Sequence, residues 1–197
     1  MKKVDELTAL RLQEAALARF ALQGFDATTM SEIASDVGIK KPSIYTHFSN
    51  KDELFLSLVP LVINKELEHA RSTFRGGSDI KLQLRFYLKG IQKRYEESHS
   101  VGFWIRNLFM PPTHLYEAVM KPLHTFMDEL ENIIRMAIAQ SPLISPSAAL
   151  NAETLALTFM SMIDSLQSEL LYGGPEKYQR RLEATWEVFE IATRYSK

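Results

Sequence analysis

Two helix starts and a forced turn crowd the stretch from Thr29 to Phe48, and this feature limits the fold more than any other. Thr29 stands three residues before Glu32, the spacing of a capping box that opens a helix at "TMSE". Gly38 ends that helix, because it accepts a turn conformation that other residues adopt only at a cost. A second short helix follows, with Pro42 tolerated in its first turn. Ala34 is small enough for two helices to cross closely, and Ile44 is placed to pack the second helix onto the first, with Ile33, Val37 and Ile39 around the turn. The pattern is that of a helix-turn-helix.

The rest of the chain reads as helix too. Leu7, Leu10, Ala15, Leu17 and Phe20 recur near a 3.6-residue period, and Gly24 should stop that helix. Asn50 and Glu53 offer a start for a fourth helix, expected to run past Ile63 toward Phe74 with a kink near Pro60. Helical patterns then cover 80–97, 101–109, 114–139, 151–171 and 176–195, with loops at "MPP", "QSPLISPS" and "YGGP". No strand-period run or internal repeat interrupts them. The expected fold is all-α, with about nine helices: a three-helix unit at residues 1–50, then a helical bundle at residues 51–197.

Composition excludes several classes. The 197 residues are 46% hydrophobic, enough for a sizeable core. Cysteine is absent, which removes a disulfide framework, a thiol nucleophile and a cysteine-ligated zinc site. The most apolar stretch, "LFLSLVPLVI", is too short to span a bilayer, and charges interrupt the N-terminal segment where a signal peptide would be continuous. The expectation is a cytoplasmic protein with no membrane partner. No nucleophile elbow, phosphate loop, Rossmann glycine pattern or His-Glu-x-x-His is present, and the histidines lack ligand spacing. No enzyme activity, cofactor or metal is therefore expected.

The charge distribution carries more. The net charge is only -1, yet "GIKKPSIYTHFSNK" holds Lys40, Lys41, Lys51 and His47 and no acid. The second helix of a helix-turn-helix lies in the DNA major groove, with phosphates at its edges. Lysines there explain the local charge without a basic protein overall, and the Tyr45 hydroxyl can reach a phosphate. His47 has no ligand partner at metal spacing on its helix and reads as another phosphate contact. Phe48 reads as core.

With these residues in view, "GFDATTMSEIASDVGIKKPSIYTHFSNKDELF" resembles the DNA-binding domain of TetR-family transcriptional regulators, over roughly Arg11 to Leu58. The match includes the Gly-Phe after the first helix, the Thr-Thr cap, Ile-Ala…Val-Gly, Ile-Tyr-x-His-Phe and Asn-Lys-Asp-Glu-Leu. Lys40 departs from the pattern, since the family often has a capping serine there. Either Lys41 and Pro42 start the helix uncapped, or Lys40 contacts phosphate. Thr28, Thr29, Lys40, Lys41, Pro42, Ser43, Tyr45, Thr46, His47 and Lys51 form the expected DNA-contact set. The resemblance implies a homodimeric repressor of double-stranded operator DNA with a helical ligand-binding and dimerisation domain. In such proteins a small-molecule effector moves the fourth helix and releases the operator. An activator, or a regulator answering a protein partner, is the alternative on the same fold.

Two further expectations concern the second domain. The helix at 151–171 is apolar on more than one face, so Phe159, Ile163, Leu166 and Leu170, with Trp186 and Phe189 of the last helix, are expected at a dimer seam. An effector pocket is expected from Phe86, Tyr87, Phe103, Trp104, Asn107, Tyr116, Phe126 and Asp164. If Asp164 faces the cavity it favours a lipophilic cation, with Trp104 or Tyr87 as a cation–π face, which would suit control of an efflux pump. If it faces the seam or solvent, a neutral or acidic aromatic compound fits as well.

Overall fold

The computed structural model describes residues 2–76, 79–143 and 150–194. The described residues are helical almost throughout. The elements are α1 (Lys2–Ala27), α2 (Met30–Val37), α3 (Lys41–Ile44), α4 (Lys51–Thr73), α5 (Ile80–Glu97), α6 (His99–Phe103), a π-helical turn (Trp104–Leu108), a 3-10 turn (Thr113–Leu115), α7 (Tyr116–Ala139), α8 (Ala152–Tyr172) and α9 (Gly174–Ala192). Part of "QSPLISPS" and the final residues, including Tyr195, lie outside the described residues.

The starts and stops follow the local chemistry. Gly24 takes a non-helical φ of 83° inside α1, and the turn after it is closed by the Thr28 hydroxyl donating to Gly24 O at 2.7 Å. Thr29 and Glu32 form the full capping box at the start of α2. Gly38, at φ 77°, ends α2 in the left-handed conformation. α3 has no side-chain cap at Lys40, so it begins uncapped with Pro42 in its first turn. At α4, the Glu53 N–H donates to Asn50 Oδ1 at 2.8 Å and Glu53 Oε2 accepts from the Ser49 N–H at 2.7 Å. Pro60 and Pro122 both sit inside helices, α4 and α7.

The chain divides into two compact units, and the division differs from the boundary expected at residue 50. Unit 1 is Met1–Asn64 with Glu97–His124, and unit 2 is Lys65–Glu96 with Thr125–Lys197. α6 and the π-turn join unit 1 for a physical reason. Phe103 is wholly buried there, its ring 5.2 Å from Phe55 and 6.3 Å from Phe20. Asn107 then donates through Nδ2 to Phe20 O at 2.9 Å and to Phe103 O at 3.1 Å, fastening the π-turn to α1. Phe20, Phe25, Phe55 and Phe103 form one aromatic cluster at the centre of unit 1.

Unit 2 is built from the α4 end, α5, most of α7, α8 and α9. Its core contains Leu84, Leu88, Ile134, Phe159, Leu166, Leu182 and Trp186, all buried. α5 lies beside α9. Lys81 Nζ donates to Thr193 O at 3.1 Å, Arg85 pairs with Glu183 at 2.7 Å, and the Tyr178 hydroxyl donates to Leu88 O.

A candidate nucleic-acid interface

The helix-turn-helix presents one face outward because the opposite face is fully used. Ile33, Ala34 and Ile44 are buried to 1% exposure or less, and Phe48 is buried as expected. That leaves Lys40, Lys41, Pro42, Ser43, Tyr45 and Thr46 exposed on α3 and its approach, with His47 half-buried beside them. Three of the exposed positions carry hydroxyls and two carry ammonium groups. Such a surface supplies donors to phosphate and to base edges. Thr46 also closes its own turn, its hydroxyl donating to Ser43 O at 2.8 Å.

The acids near this face are neutralised internally. Arg19 on α1 donates to both oxygens of Asp36, at 2.7 and 2.8 Å, and to Glu32 at 3.0 Å. The hydrogen bond from Arg19 holds the Asp36 carboxyl below its usual pKa range. Bonds from the Thr29 side chain and backbone do the same for Glu32. Arg11 donates to Val37 O at 2.8 Å and so satisfies a carbonyl at the end of α2. Neither arginine was singled out from sequence, because their partners lie on α2, 13 to 26 residues further along the chain.

Three expected DNA contacts change role. Thr28 is 1% exposed and its hydroxyl is taken by Gly24 O, so it cannot reach a phosphate. Thr29 is exposed, but its hydroxyl both accepts from the Glu32 N–H at 3.2 Å and donates to Glu32 Oε2 at 2.8 Å, so it acts as a cap. Lys51 Nζ donates to Phe25 O at 2.8 Å and Thr28 O at 3.1 Å and lies 4.0 Å from the Phe25 ring centre. Its ammonium holds the end of α1.

The expected effector residues are divided between the two units. Phe103, Trp104, Asn107 and Tyr116 belong to unit 1, and Phe86, Tyr87, Phe126 and Asp164 to unit 2. Phe103 and Asn107 serve the α1 contact already described, and Trp104 is buried in the same unit. Phe86 and Tyr116 stand on the surface, at 65% and 50% exposure. Asp164 lies on the outer face of α8, although nearby groups withdraw enough water to raise its carboxyl pKa. Tyr87 and Phe126 are buried in unit 2, and Tyr87 packs against His69 and Phe74. A cavity of about 650 Å³ in unit 2 is lined by Phe74, Ile80, Lys81, Ala137, Gln140 and Leu143 among others. It includes none of the eight.

The expected dimer residues are likewise used within the chain. Phe159, Ile163, Leu166, Trp186 and Phe189 are each 3% exposed or less, because α8 and α9 turn their most apolar faces onto the core of unit 2. Leu170 is half-buried. The apolar residues left outside on these helices are Leu157, Tyr172, Val188 and Ile191.

Helical described residues, a packed helix-turn-helix and an outward row of lysines and hydroxyls together define a fold of the helix-turn-helix class. Among the described residues no group of acids and histidines could hold a metal, and no helix is long and apolar enough to cross a membrane. Residues 12–58 match the N-terminal family model of bacterial regulatory proteins of the TetR family. Members of this family are transcription regulators that bind DNA and are not enzymes.

Similar proteins fall into two groups. The chain is 35% identical over 71 residues to the HTH-type transcriptional activator FasR of Mycolicibacterium smegmatis, covering 36% of this chain and 32% of that protein. It is 26% identical over 123 residues to the biofilm operon negative regulator IcaR of Staphylococcus aureus, covering 58% of this chain and 66% of that protein. The matches thus span less than two thirds of these curated relatives. Among solved structures, a transcriptional regulator from Saccharomonospora viridis in complex with choline superposes with a TM-score of 0.75 at 18% identity, over 94% of this chain and 96% of that one. FadR from Bacillus subtilis, in complex with stearoyl-CoA, does so with 0.67 at 18% identity, over 91% and 96%. At such identity the likeness concerns the fold.

Proposed function

We propose that this protein is a transcriptional repressor that binds a pseudo-palindromic operator as a homodimer and leaves it when a small hydrophobic molecule binds unit 2. The observation that carries the DNA half is the face of α3. Ile44 and Phe48 anchor it, and Lys40, Lys41, Ser43, Tyr45 and Thr46 point away from the core together. Lys40 and Lys41 supply the phosphate contacts, and Ser43 is placed for a base edge. The repressor sense is favoured by likeness to IcaR, named as a negative regulator. Likeness to FasR, named as an activator, keeps activation as the second reading.

The dimer would use the outer faces of α8 and α9. Leu157, Ser161, Asp164, Ser168 and Tyr172 follow one another along α8 at helical spacing, and Ala184, Val188 and Ile191 do so along α9. Val188 is 67% and Ile191 56% exposed. The apolar residues among them, Leu157, Tyr172, Val188 and Ile191, favour cover by a second copy.

Two fold neighbours hold ligands of opposite character, an acyl-CoA and a quaternary ammonium. Asp164, on the outside of α8, gives no reason to choose a cation, and the efflux assignment that followed from it loses its basis.

The test is binding to the DNA flanking the protein's own gene, followed by fluorescence anisotropy across a salt series. Affinity should fall steeply with salt, with dimer footprints about one helical turn apart, roughly 34–36 Å. Salt-independent binding, or none, would sink the reading.

A further inference from the structure

One group of polar residues inside unit 2 is explained neither by folding nor by the DNA-binding face. Glu66 and His69 on α4 and Tyr87 and Arg94 on α5 meet in the interior. Glu66 and Tyr87 are 9% and 3% exposed. Arg94 donates to Glu66 Oε2 at 3.3 Å and makes a short contact from Nη1 to His69 Nε2. Its guanidinium carbon stands 5.2 Å from the centre of the Tyr87 ring. The Tyr87 ring in turn lies 5.4 Å from both His69 and Phe74.

The arrangement has the chemistry of a receptor for a flat cation. One wall is a carboxylate, one an imidazole nitrogen and one the face of an aromatic ring. His69 is held neutral, its pKa pushed down to about 4 by burial and by Arg94, so Nε2 is free to accept a hydrogen bond. A π-face and a buried carboxylate are the recognised partners of guanidinium and ammonium groups.

Arg94 Nε is buried without a partner, and the Glu66 contact is long. Replacing such a pair by packed apolar residues is often neutral or stabilising, so burial of the pair does not explain its presence. Gly90 gives a second sign. A Cβ there would lie 3.2 Å from Arg94 Nη1, so a larger residue would crowd the guanidinium. A glycine in mid-helix costs about 1 kcal/mol relative to alanine, and here it leaves room for the Arg94 guanidinium. Arg94 itself is near the end of α5, with 20% of its side chain exposed, so its flexible stem has a way out to solvent.

We propose that Glu66, His69 and Tyr87 form a binding site for a small organic cation of guanidinium or amidinium type, in which Arg94 is the built-in occupant that such a ligand displaces. Charge is conserved in the exchange, because one cation replaces another beside Glu66. The site would be the effector site of the proposed repressor, and in that respect it rests on the ligand-responsive reading above.

The test uses the full-length protein and three isosteric probes: benzamidinium, neutral benzamide and anionic benzoate. By calorimetry, benzamidinium should bind the wild type and the other two should not. Arg94→Met keeps the stem and removes the competitor. If Arg94 fills the site nine-tenths of the time, this change should tighten benzamidinium binding about tenfold. Adding Glu66→Gln to Arg94→Met should abolish that binding. Unchanged affinity in Arg94→Met, or benzoate binding that Arg94→Met removes, would overturn the proposal, the second result by assigning an anion site. Should the variants fold poorly, the wild type still decides. The Arg94 Nε–H resonance should move to rapid solvent exchange on benzamidinium addition, and an unmoved signal at saturation refutes displacement. Operator release, read by anisotropy, separates the two claims. If other compounds release the operator and benzamidinium does not bind, the cation site falls and the regulatory reading stands. If benzamidinium binds as expected while the operator stays bound, the site stands and its effector role falls.

Discussion

The ammonium of Lys51, at the first residue of α4, donates to the backbone carbonyls of Phe25 at 2.8 Å and Thr28 at 3.1 Å. It therefore ties the start of α4 to the end of α1, and stacks over the Phe25 ring as it does so. Lysine is chosen here for reach: four methylenes carry its donors to two carbonyls at the end of α1.

Lys51→Met should accordingly act on stability before it acts on DNA. Loss of two charge-assisted bonds to carbonyls should lower the unfolding free energy by about 1–3 kcal/mol. Urea denaturation followed by circular dichroism measures this. The salt slope of DNA binding should stay that of the wild type, since no phosphate contact is lost.

Lys40→Ala and Lys41→Ala should do the reverse. Each should weaken binding to all sequences about equally and reduce the slope of log K against log salt by about 1, with thermal stability unchanged. Ser43→Ala should alter the preferred operator sequence, read by selection from a random pool. A uniform loss across sequences would return Ser43 to the phosphate class.

Acid should destabilise unit 2 through His69. Its folded pKa is about 4 against an ordinary 6.5, so between these values the unfolded chain binds a proton that the folded chain refuses. Stability is then complete above pH 6.5 and falls as pH drops toward 4. His69→Gln should flatten that part of the melting-temperature profile. A profile of equal slope in both proteins would mean that His69 does not carry it.

The outer and inner faces of α8 and α9 should respond differently. Val188→Arg places a charge on an exposed residue and should shift sedimentation equilibrium toward monomer with little change in the fold. Phe159→Ala removes a fully buried ring and should cost about 3–5 kcal/mol of stability. Dimers that persist in Val188→Arg would move the seam elsewhere.

The sequence alone determined the local structure, because caps, glycine turns and apolar periods act over a few residues. Thr29 with Glu32, Gly38 in the left-handed region, and the start of α8 at Asn151 were all legible before any fold was known. The helix-turn-helix was legible for the same reason, since its two helices and its turn are contiguous. What the sequence could not decide was which of two uses a residue serves when the partner is distant in the chain. Lys51 and Phe25 are far apart in sequence, as are Asn107 and Phe20, and Arg94 and Glu66. Composition marks each as a donor or an acceptor but not as a cap, a clasp or an ion pair. The apolar faces of α8 posed the same problem, for Phe159 and Leu157 are alike in hydrophobicity, and only the packing of α5 and α9 buried one and left the other outside. Tertiary structure settled these roles because burial and pairing are properties of neighbours in space, which periodicity along a single helix does not name.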